Sequence, residues 1–192
     1  YHVTNVVLHA LCAALLWDIL LLLGFRWAWA AAVLFALHPV NVPSVAWIAE
    51  RKNVLSGVFL FLSFWVYLRY DRDRVGRWYA ASLALFLLAL LSKGAVVAGA
   101  PALLLIVAFK RGRLLRADVA RVLPFVALAL AAGLVTVWFQ QHRTMEGNVF
   151  AVPGVATRVG NAASALWFYL GKAVFPVELC TVYSGWDVTT MA

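Results

Sequence analysis

The sequence predicts an all-α protein, a polytopic bundle of about six to seven transmembrane helices. Hydrophobic residues make up 65% of the 192 residues, charged residues make up 12%, and the mean hydropathy is +0.90. A soluble domain is about 45–50% apolar and about 25% charged, so this composition indicates an integral membrane protein. We expect residues 1–192 to form a single transmembrane domain. Because Tyr1 already lies in an apolar run, we also expect the chain to be a fragment of a longer protein.

Apolar runs in the first half of the chain predict three helices, at residues 1–23, about 27–37 and 54–68. In the first run, His2, Asn5 and His9 are three and four residues apart, so they share one face of the helix. Such a face either packs against a neighbouring helix or forms the polar rim of a cavity. The sequence leaves both interpretations open.

In the second half, two apolar runs flank Lys93, at residues 78–91 and 95–109. Arg77 precedes the first run and the basic segment 110–121 follows the second, so both outer ends should be cytoplasmic. The two runs therefore predict a hairpin that turns at Lys93. Two further helices are predicted at residues 122–139 and 158–175, and the sequence leaves open whether the last one crosses the bilayer.

The positive charges distinguish the two sides of the membrane. Ten Lys and Arg residues fall in or beside three loops, at residues 24–27, 69–77 and 110–121, and five fall elsewhere in the first 158 residues. Cytoplasmic loops carry the excess of Lys and Arg, so these three loops should be cytoplasmic. Residues 38–53, Lys93 and the loop 140–158 then face outward. These basic loops account for the formal charge of +8, which therefore does not indicate nucleic-acid binding.

Residues 37–53 form the longest polar interruption in the apolar first half of the chain. Pro39 and Pro43 break the helix, because each lacks an N–H and restricts the residue before it. This predicts irregular backbone at His38 and Asn41. The next helix should begin with the charged residues Glu50, Arg51 and Lys52. In lipid, irregular backbone persists only where protein or water lines it, so this stretch is the first candidate for a site.

Four cations on three separate loops should face outward together: Arg51, Lys52, Lys93 and Arg158. They either extend toward lipid headgroups or bind a phosphate carried by a lipid. A sugar that leaves polyprenyl phosphate leaves negative charge on that phosphate, and Arg and Lys stabilise such charge best in a dry pocket. The acceptor hydroxyl would need a carboxylate as general base, and the outward-facing acids are Glu50 and Glu146.

A series of motifs resembles the membrane region of the transmembrane and tetratricopeptide-repeat O-mannosyltransferase family and its bacterial relatives. The specific part is LFALHPV at residues 34–40 followed by SVAWIAERK at residues 44–52. Shorter motifs continue the resemblance in order over nearly the whole chain: YHVTN at 1–5, LLSK at 90–93, LPF at 123–125 and YLGK at 169–172. The resemblance implies a GT-C glycosyltransferase fold in a bacterial inner membrane.

The resemblance also implies transfer of a mannose-like sugar from a polyprenyl-phosphate donor to a protein or glycan acceptor at the outer face, with tetratricopeptide repeats after the membrane part. The family's catalytic aspartate lies in the first outward loop. This chain resembles the family from the second helix onward, so we expect no catalytic residue within it. Glu50 and His38 would be auxiliary, and a divalent metal is left open. The predicted substrate-binding residues are Asn41, Arg51, Lys52, Lys93 and Arg158.

Two other functions remain open. The chain has Asn41 and Pro43 where the family commonly has His and Glu, and Asn53 where Asp is usual, which fits a non-catalytic membrane anchor for downstream repeats. The other alternative is a transporter or flippase for a lipid-linked substrate. Ion-coupled transporters carry ionisable groups within their spans, and apart from Asp18 such groups are rare here.

Overall fold

The computed structural model describes residues 2–140, 142, 154–177 and 179, and within these ranges the chain is all-α. The helices are α1 (His2–Leu22), α2 (Ala28–Leu37), α3 (Val42–Ala46), α4 (Arg51–Asp73), α5 (Gly76–Ser92), α6 (Gly99–Arg111), α7 (Arg116–Phe139) and α8 (Val155–Val174). Three short 3₁₀ turns lie between them, at Pro39–Asn41, Ile48–Glu50 and Gly94–Ala98. The prediction of an all-α helical bundle is confirmed.

Four helical segments of the described ranges are long and apolar enough to cross a membrane: His2–Leu22, Ile48–Asp73, Gly94–Arg111 and Arg116–Phe139. A fifth span exists if α2 and the segment Pro39–Ala46, which meet at a bend of 48°, are counted as one. This is the organisation of an integral membrane protein. Of the six to seven helices expected to cross, α2 has 10 residues and α5 has 17, so neither reaches the length of a span by itself, and α8 is not among the four segments.

The core lies where α4, α5, α6 and α7 pack together. Its largest fully buried side chains include Tyr67, Phe86, Leu103 and Phe125, one from each of these helices. The Tyr67 and Phe86 rings lie 5.7 Å and 5.3 Å from the Phe125 ring, at steep angles typical of aromatic packing. These large apolar side chains therefore fix how the four helices pack.

Small polar residues join α4 to α5 within the core. Ser63 and Ser82 are fully buried, and each hydroxyl donates to the backbone carbonyl of the other residue at 2.8 Å. Small residues let helix backbones approach closely in a membrane, and hydroxyl groups then bond across the interface. On the other side of α4, Gly57 faces α1, where an added Cβ would lie 3.2 Å from Cys12 Sγ.

At one end of the bundle, which we call the basic end, the loops 24–27, 69–77 and 110–121 lie together. The Phe25 ring stacks on Phe109 with centroids 5.0 Å apart, and Asp71 accepts a hydrogen bond from Lys110 at 3.0 Å. Asp71 also pairs with Arg74 and Arg111. Arg111 and Arg121 in turn both contact Asp118, which is buried at the start of α7. That these loops are cytoplasmic stays a prediction.

Lys93 and residues 38–53 lie at the opposite end, which we call the His-Pro end. Lys93 ends α5 with extended backbone, φ −157° and ψ 121°, and its side chain contacts Asn53 at the start of α4. Because Arg111 at the end of α6 meets Asp71 at the basic end, α5 and α6 run in opposite directions. The predicted hairpin at Lys93 is confirmed.

The predicted last helix is present as α8, which follows Gly154. The side chain of Arg158, the residue Glu146 and most of the loop 140–158 lie outside the described residues.

Candidate functional site

The backbone at the His-Pro end is irregular, as the two prolines predict. After α2 the chain forms a 3₁₀ turn, the five-residue helix α3, and a second 3₁₀ turn before α4 begins at Arg51. Pro39 and Pro43 each occupy one of the first two positions of a helical segment, where a missing N–H costs no hydrogen bond. His38 is extended (φ −67°, ψ 126°), and its Nδ1 accepts a hydrogen bond from the Val40 N–H at 3.3 Å.

Asn5 of α1 holds this irregular segment in place. Its side chain is fully buried, and its Nδ2 donates to the carbonyl oxygens of Val45 at 3.2 Å and Trp47 at 3.1 Å. Its Oδ1 accepts from Arg51 Nε at 3.4 Å. Asn5 therefore satisfies two backbone carbonyls that a helix would otherwise use, and it orients the side chain of Arg51.

A second asparagine connects the charged side chains. Asn53 Nδ2 donates to Ser44 Oγ at 3.1 Å and to the Glu50 carboxylate, and Asn53 Oδ1 accepts from Lys93 Nζ. Lys52 Nζ lies 3.8 Å from Glu50 Oε1. We call these five side chains the Asn53 network. The structure thus brings together three of the predicted site residues, Glu50, Lys52 and Lys93, through a residue that was not predicted to be in the site.

A pocket of about 410 Å³ lies beside the bend between α2 and α3, and we call it the bend pocket. His9 Nε2 donates to the Ala36 carbonyl at 3.1 Å, and Asn41 Nδ2 donates to the Phe35 carbonyl at 2.7 Å. Because His38 Nδ1 accepts a hydrogen bond, the proton of its neutral ring must lie on Nε2. Apolar residues form most of the wall, and the polar residues that line it are His2, His9, His38 and Asn41.

The short helix α3 lies between the bend pocket and the Asn53 network. Val42 and Val45 of α3 line the pocket, whereas Ser44 contacts Asn53. The predicted site residues consequently fall into two groups. His38 and Asn41 belong to the pocket, and the charged residues belong to the network or, for Arg51, to the contact with Asn5.

The charges at the His-Pro end are unbalanced. The described residues of this end include three cations, Arg51, Lys52 and Lys93, but a single carboxylate, Glu50. The same part of the chain contains no group of three or more His, Cys, Asp or Glu side chains arranged to hold a metal ion. Such an excess of cations at the edge of a low-dielectric membrane favours binding of an anion.

Sequence reasoning missed Asn5 and Asn53 as the centres of these contacts. The sequence indicated Asn5 in part, because this residue shares a helix face with His2 and His9. In the structure His2 and His9 line the pocket, and Asn5 is fully buried. No local pattern in the sequence indicated the contacts of Asn53, because its partner Lys93 is 40 residues away in the chain.

Part of the chain is similar to known protein O-mannosyl-transferases. Protein O-mannosyl-transferase TMTC2 of Homo sapiens is 34% identical over 76 residues, which are 38% of this chain and 9% of the relative. Protein O-mannosyl-transferase TMTC3 of Mus musculus is 35% identical over 68 residues, 35% of this chain and 7% of the relative. The match thus spans less than a tenth of the length of these relatives. No protein-family model and no solved structure matches the chain.

Proposed function

We propose that this chain is part of an integral membrane glycosyltransferase of the GT-C type. It would act in a bacterial inner membrane and transfer a mannose-like sugar from a polyprenyl-phosphate donor to a protein or glycan acceptor at the outer face. The observation that carries the proposal is the excess of cations at the His-Pro end, where Lys52 and Lys93 belong to one network. The partial similarity to O-mannosyl-transferases supports the class of reaction.

The cations act on the leaving group. In the transfer, the bond between the anomeric carbon and the phosphate oxygen breaks, and its electron pair stays on the phosphate. The anomeric carbon bonds to the acceptor oxygen, whose proton passes to a carboxylate base outside this chain. Lys93, Lys52 and Arg51 hold the phosphate and stabilise the charge that develops on it, since fixed cations in a dry site are preorganised for that charge. Arg158 stays a further predicted cation of this group, and its side chain lies outside the described residues.

The remaining site residues shape the surroundings of the phosphate. Both oxygens of Glu50 are engaged, one by Asn53 and the other by Lys52, so this carboxylate positions its neighbours. His38 and Asn41 border the mostly apolar bend pocket on the other side of α3, which suits a part of the isoprenoid chain farther from the phosphate. Tetratricopeptide repeats after the membrane part would then present the protein acceptor.

The proposed phosphate role is tested by replacing Lys93 or Arg51 with Gln in the full-length protein. Transfer from a polyprenyl-phosphate mannose donor, assayed in membranes, should fall roughly tenfold to hundredfold for each variant, because a preorganised contact to the developing charge is lost. Lys172→Gln is the matched control; Lys172 lies on α8 and donates to the Val177 carbonyl, so its replacement should leave transfer unchanged. Wild-type rates for both Lys93→Gln and Arg51→Gln would remove the phosphate role.

The wild-type protein in the same membranes distinguishes the alternatives. Sugar transfer to an acceptor supports the glycosyltransferase. Movement of the lipid-linked sugar between leaflets without transfer supports a transporter, and the absence of both supports a membrane anchor.

A further inference from the structure

We infer that α8 lies along the membrane interface on the side of the His-Pro end, with one of its faces in the lipid, and does not cross the bilayer. The partner of this helix surface is the boundary between the lipid headgroups and the acyl chains. This placement does not depend on the proposed function, because it concerns only how the helix sits in the membrane.

The helix α8 has two chemically different faces, since successive side chains advance by about 100° around a helix. Four exposed apolar side chains share one face: Val159, Leu166, Leu170 and Val174. The opposite face is polar, and its members are Thr157, Asn161, Ser164 and Lys172. The last three of these side chains are half-buried, whereas the apolar face is open. Two such faces along a whole helix are typical of a helix that lies in a membrane interface.

The aromatic side chains of α8 fit the same position. Trp167 and Tyr169 fall at the two borders between the faces and are 76% and 57% exposed. Trp and Tyr are enriched at membrane–water interfaces, where the ring lies in the apolar layer and the polar atom reaches water. Phe168 lies on the polar face, but the Lys172 ammonium covers its ring at 5.5 Å. The borders of the apolar face are thus formed by residues that prefer an interface.

The packing of α8 argues against a crossing. Its 20 residues make a helix of about 30 Å, yet α8 is not among the four described segments that are long and apolar enough to cross. Each of those four contributes buried residues to the bundle, whereas none of the α8 side chains that the structure describes is buried. A crossing α8 would carry Asn161 and Ser164 through the hydrocarbon without packed helices around them, which is costly. In the interface, headgroups and water solvate both.

The start of α8 belongs to the His-Pro side of the membrane. At that end of α7, Thr136 faces Gly94, where an added Cβ would lie 3.4 Å from Thr136 Oγ1. Residues 140–154 connect α7 to α8 and include the charged residues Arg143 and Glu146, so this sequence is too short and too polar to cross back. The lipid that α8 contacts is therefore the leaflet at the His-Pro end.

The experiment measures labelling of single cysteines by an impermeant maleimide in intact cells, in the full-length protein without its native cysteines. Thr157→Cys and Gly171→Cys lie on the polar side near the two ends of α8, and both should react from the same side of the membrane as Lys52→Cys. Val159→Cys and Leu170→Cys are the matched controls, since they are neighbours on the apolar face and are equally exposed in the protein alone. They should react at least about tenfold more slowly, because the reactive thiolate does not form in lipid.

The same variants show whether α8 crosses. If Thr157→Cys reacts from the side of Lys52→Cys but Gly171→Cys reacts only after permeabilisation, α8 crosses and the inference is overturned. Equal rates at all four α8 positions would place the helix in water and would overturn it as well. Spin labels at Val159→Cys and Leu170→Cys give a second measurement of depth. Both should lie about 5–10 Å into the headgroup and acyl boundary, whereas a crossing helix would separate their depths by about 16 Å and contradict the inference.

Discussion

Asn5 is the residue on which the shape of the His-Pro end depends most directly. It is fully buried and contacts the Val45 and Trp47 carbonyls and Arg51 Nε. A buried polar group that loses its partner costs about 1–3 kcal/mol. Any change at Asn5 leaves two carbonyls of an irregular segment to find new donors, so we expect effects on both stability and the orientation of Arg51.

We therefore predict that Asn5→Ala lowers the free energy of unfolding by about 1–3 kcal/mol. The measurement is thermal unfolding in detergent micelles, followed by circular dichroism. Thr4→Ala, at an exposed neighbouring position on the same helix, is the control and should unfold like the wild type. An Asn5→Ala variant as stable as Thr4→Ala would show that the contacts of Asn5 contribute nothing to stability.

The individual site residues could be predicted only in part. The prolines and the change from apolar to charged residues placed His38 and Asn41 on irregular backbone and Glu50 at the start of the next helix, because these properties are local in sequence. The contacts of Asn53 could not be predicted, since they depend on the hairpin that brings Lys93 back beside α4. A pairing across 40 residues leaves no pattern in the periodicity of either helix.

At the level of helices, the ends of α4 and α6 are joined by the ion pairs of Asp71. The Asp71 side chain is 8% exposed and contacts Lys110 and Arg111 at the end of α6, as well as Arg74. Removing a carboxylate from partly buried partners leaves cations that have lost their acceptor. These contacts therefore hold the end of α6 against the end of α4 at the basic end.

Asp71→Asn should lower the free energy of unfolding by about 1.5–3 kcal/mol, the range for hydrogen bonds to charged groups. Asp73→Asn is the matched control two residues away; Asp73 pairs with Arg72 at the surface, and such pairs contribute little. Thermal unfolding of the two variants in the same detergent makes the comparison. Equal unfolding temperatures for the two would contradict the role assigned to Asp71.

The helices themselves were largely predictable, but the bend after α2 was not. Apolar runs mark each helix, because burial in lipid or protein requires apolar side chains over the whole length. The same runs cannot show that the chain bends by 48° after α2. The bend depends on contacts from Asn5 and on the prolines together, so the sequence alone does not show whether α2 and Pro39–Ala46 form one span.

For the whole molecule, the basic end carries more Lys and Arg residues than the His-Pro end, and this difference predicts the orientation in the membrane. Lys52 is exposed at the His-Pro end and Arg113 is exposed at the basic end. In a background without Cys12 and Cys180, Lys52→Cys should react with an impermeant maleimide added outside intact cells. Arg113→Cys should react only after the membrane is permeabilised, since cytoplasmic loops hold the excess of basic residues. Labelling of both from the same side would contradict this orientation.

The length of α5 has a consequence for how the proposed lipid-linked donor would reach Lys93. Seventeen residues give a helix of about 26 Å, shorter than a hydrocarbon layer of about 30 Å. If the basic end is cytoplasmic, as predicted, and Arg77 lies at the inner headgroups, the helix ends below the plane of the outer headgroups unless the outer leaflet dips around the hairpin. Such a dip has a modest energetic cost and would lower the phosphate of the proposed donor to the depth of the lysine. Lipids with shorter acyl chains, which already match that depth, should therefore increase the apparent affinity for the donor.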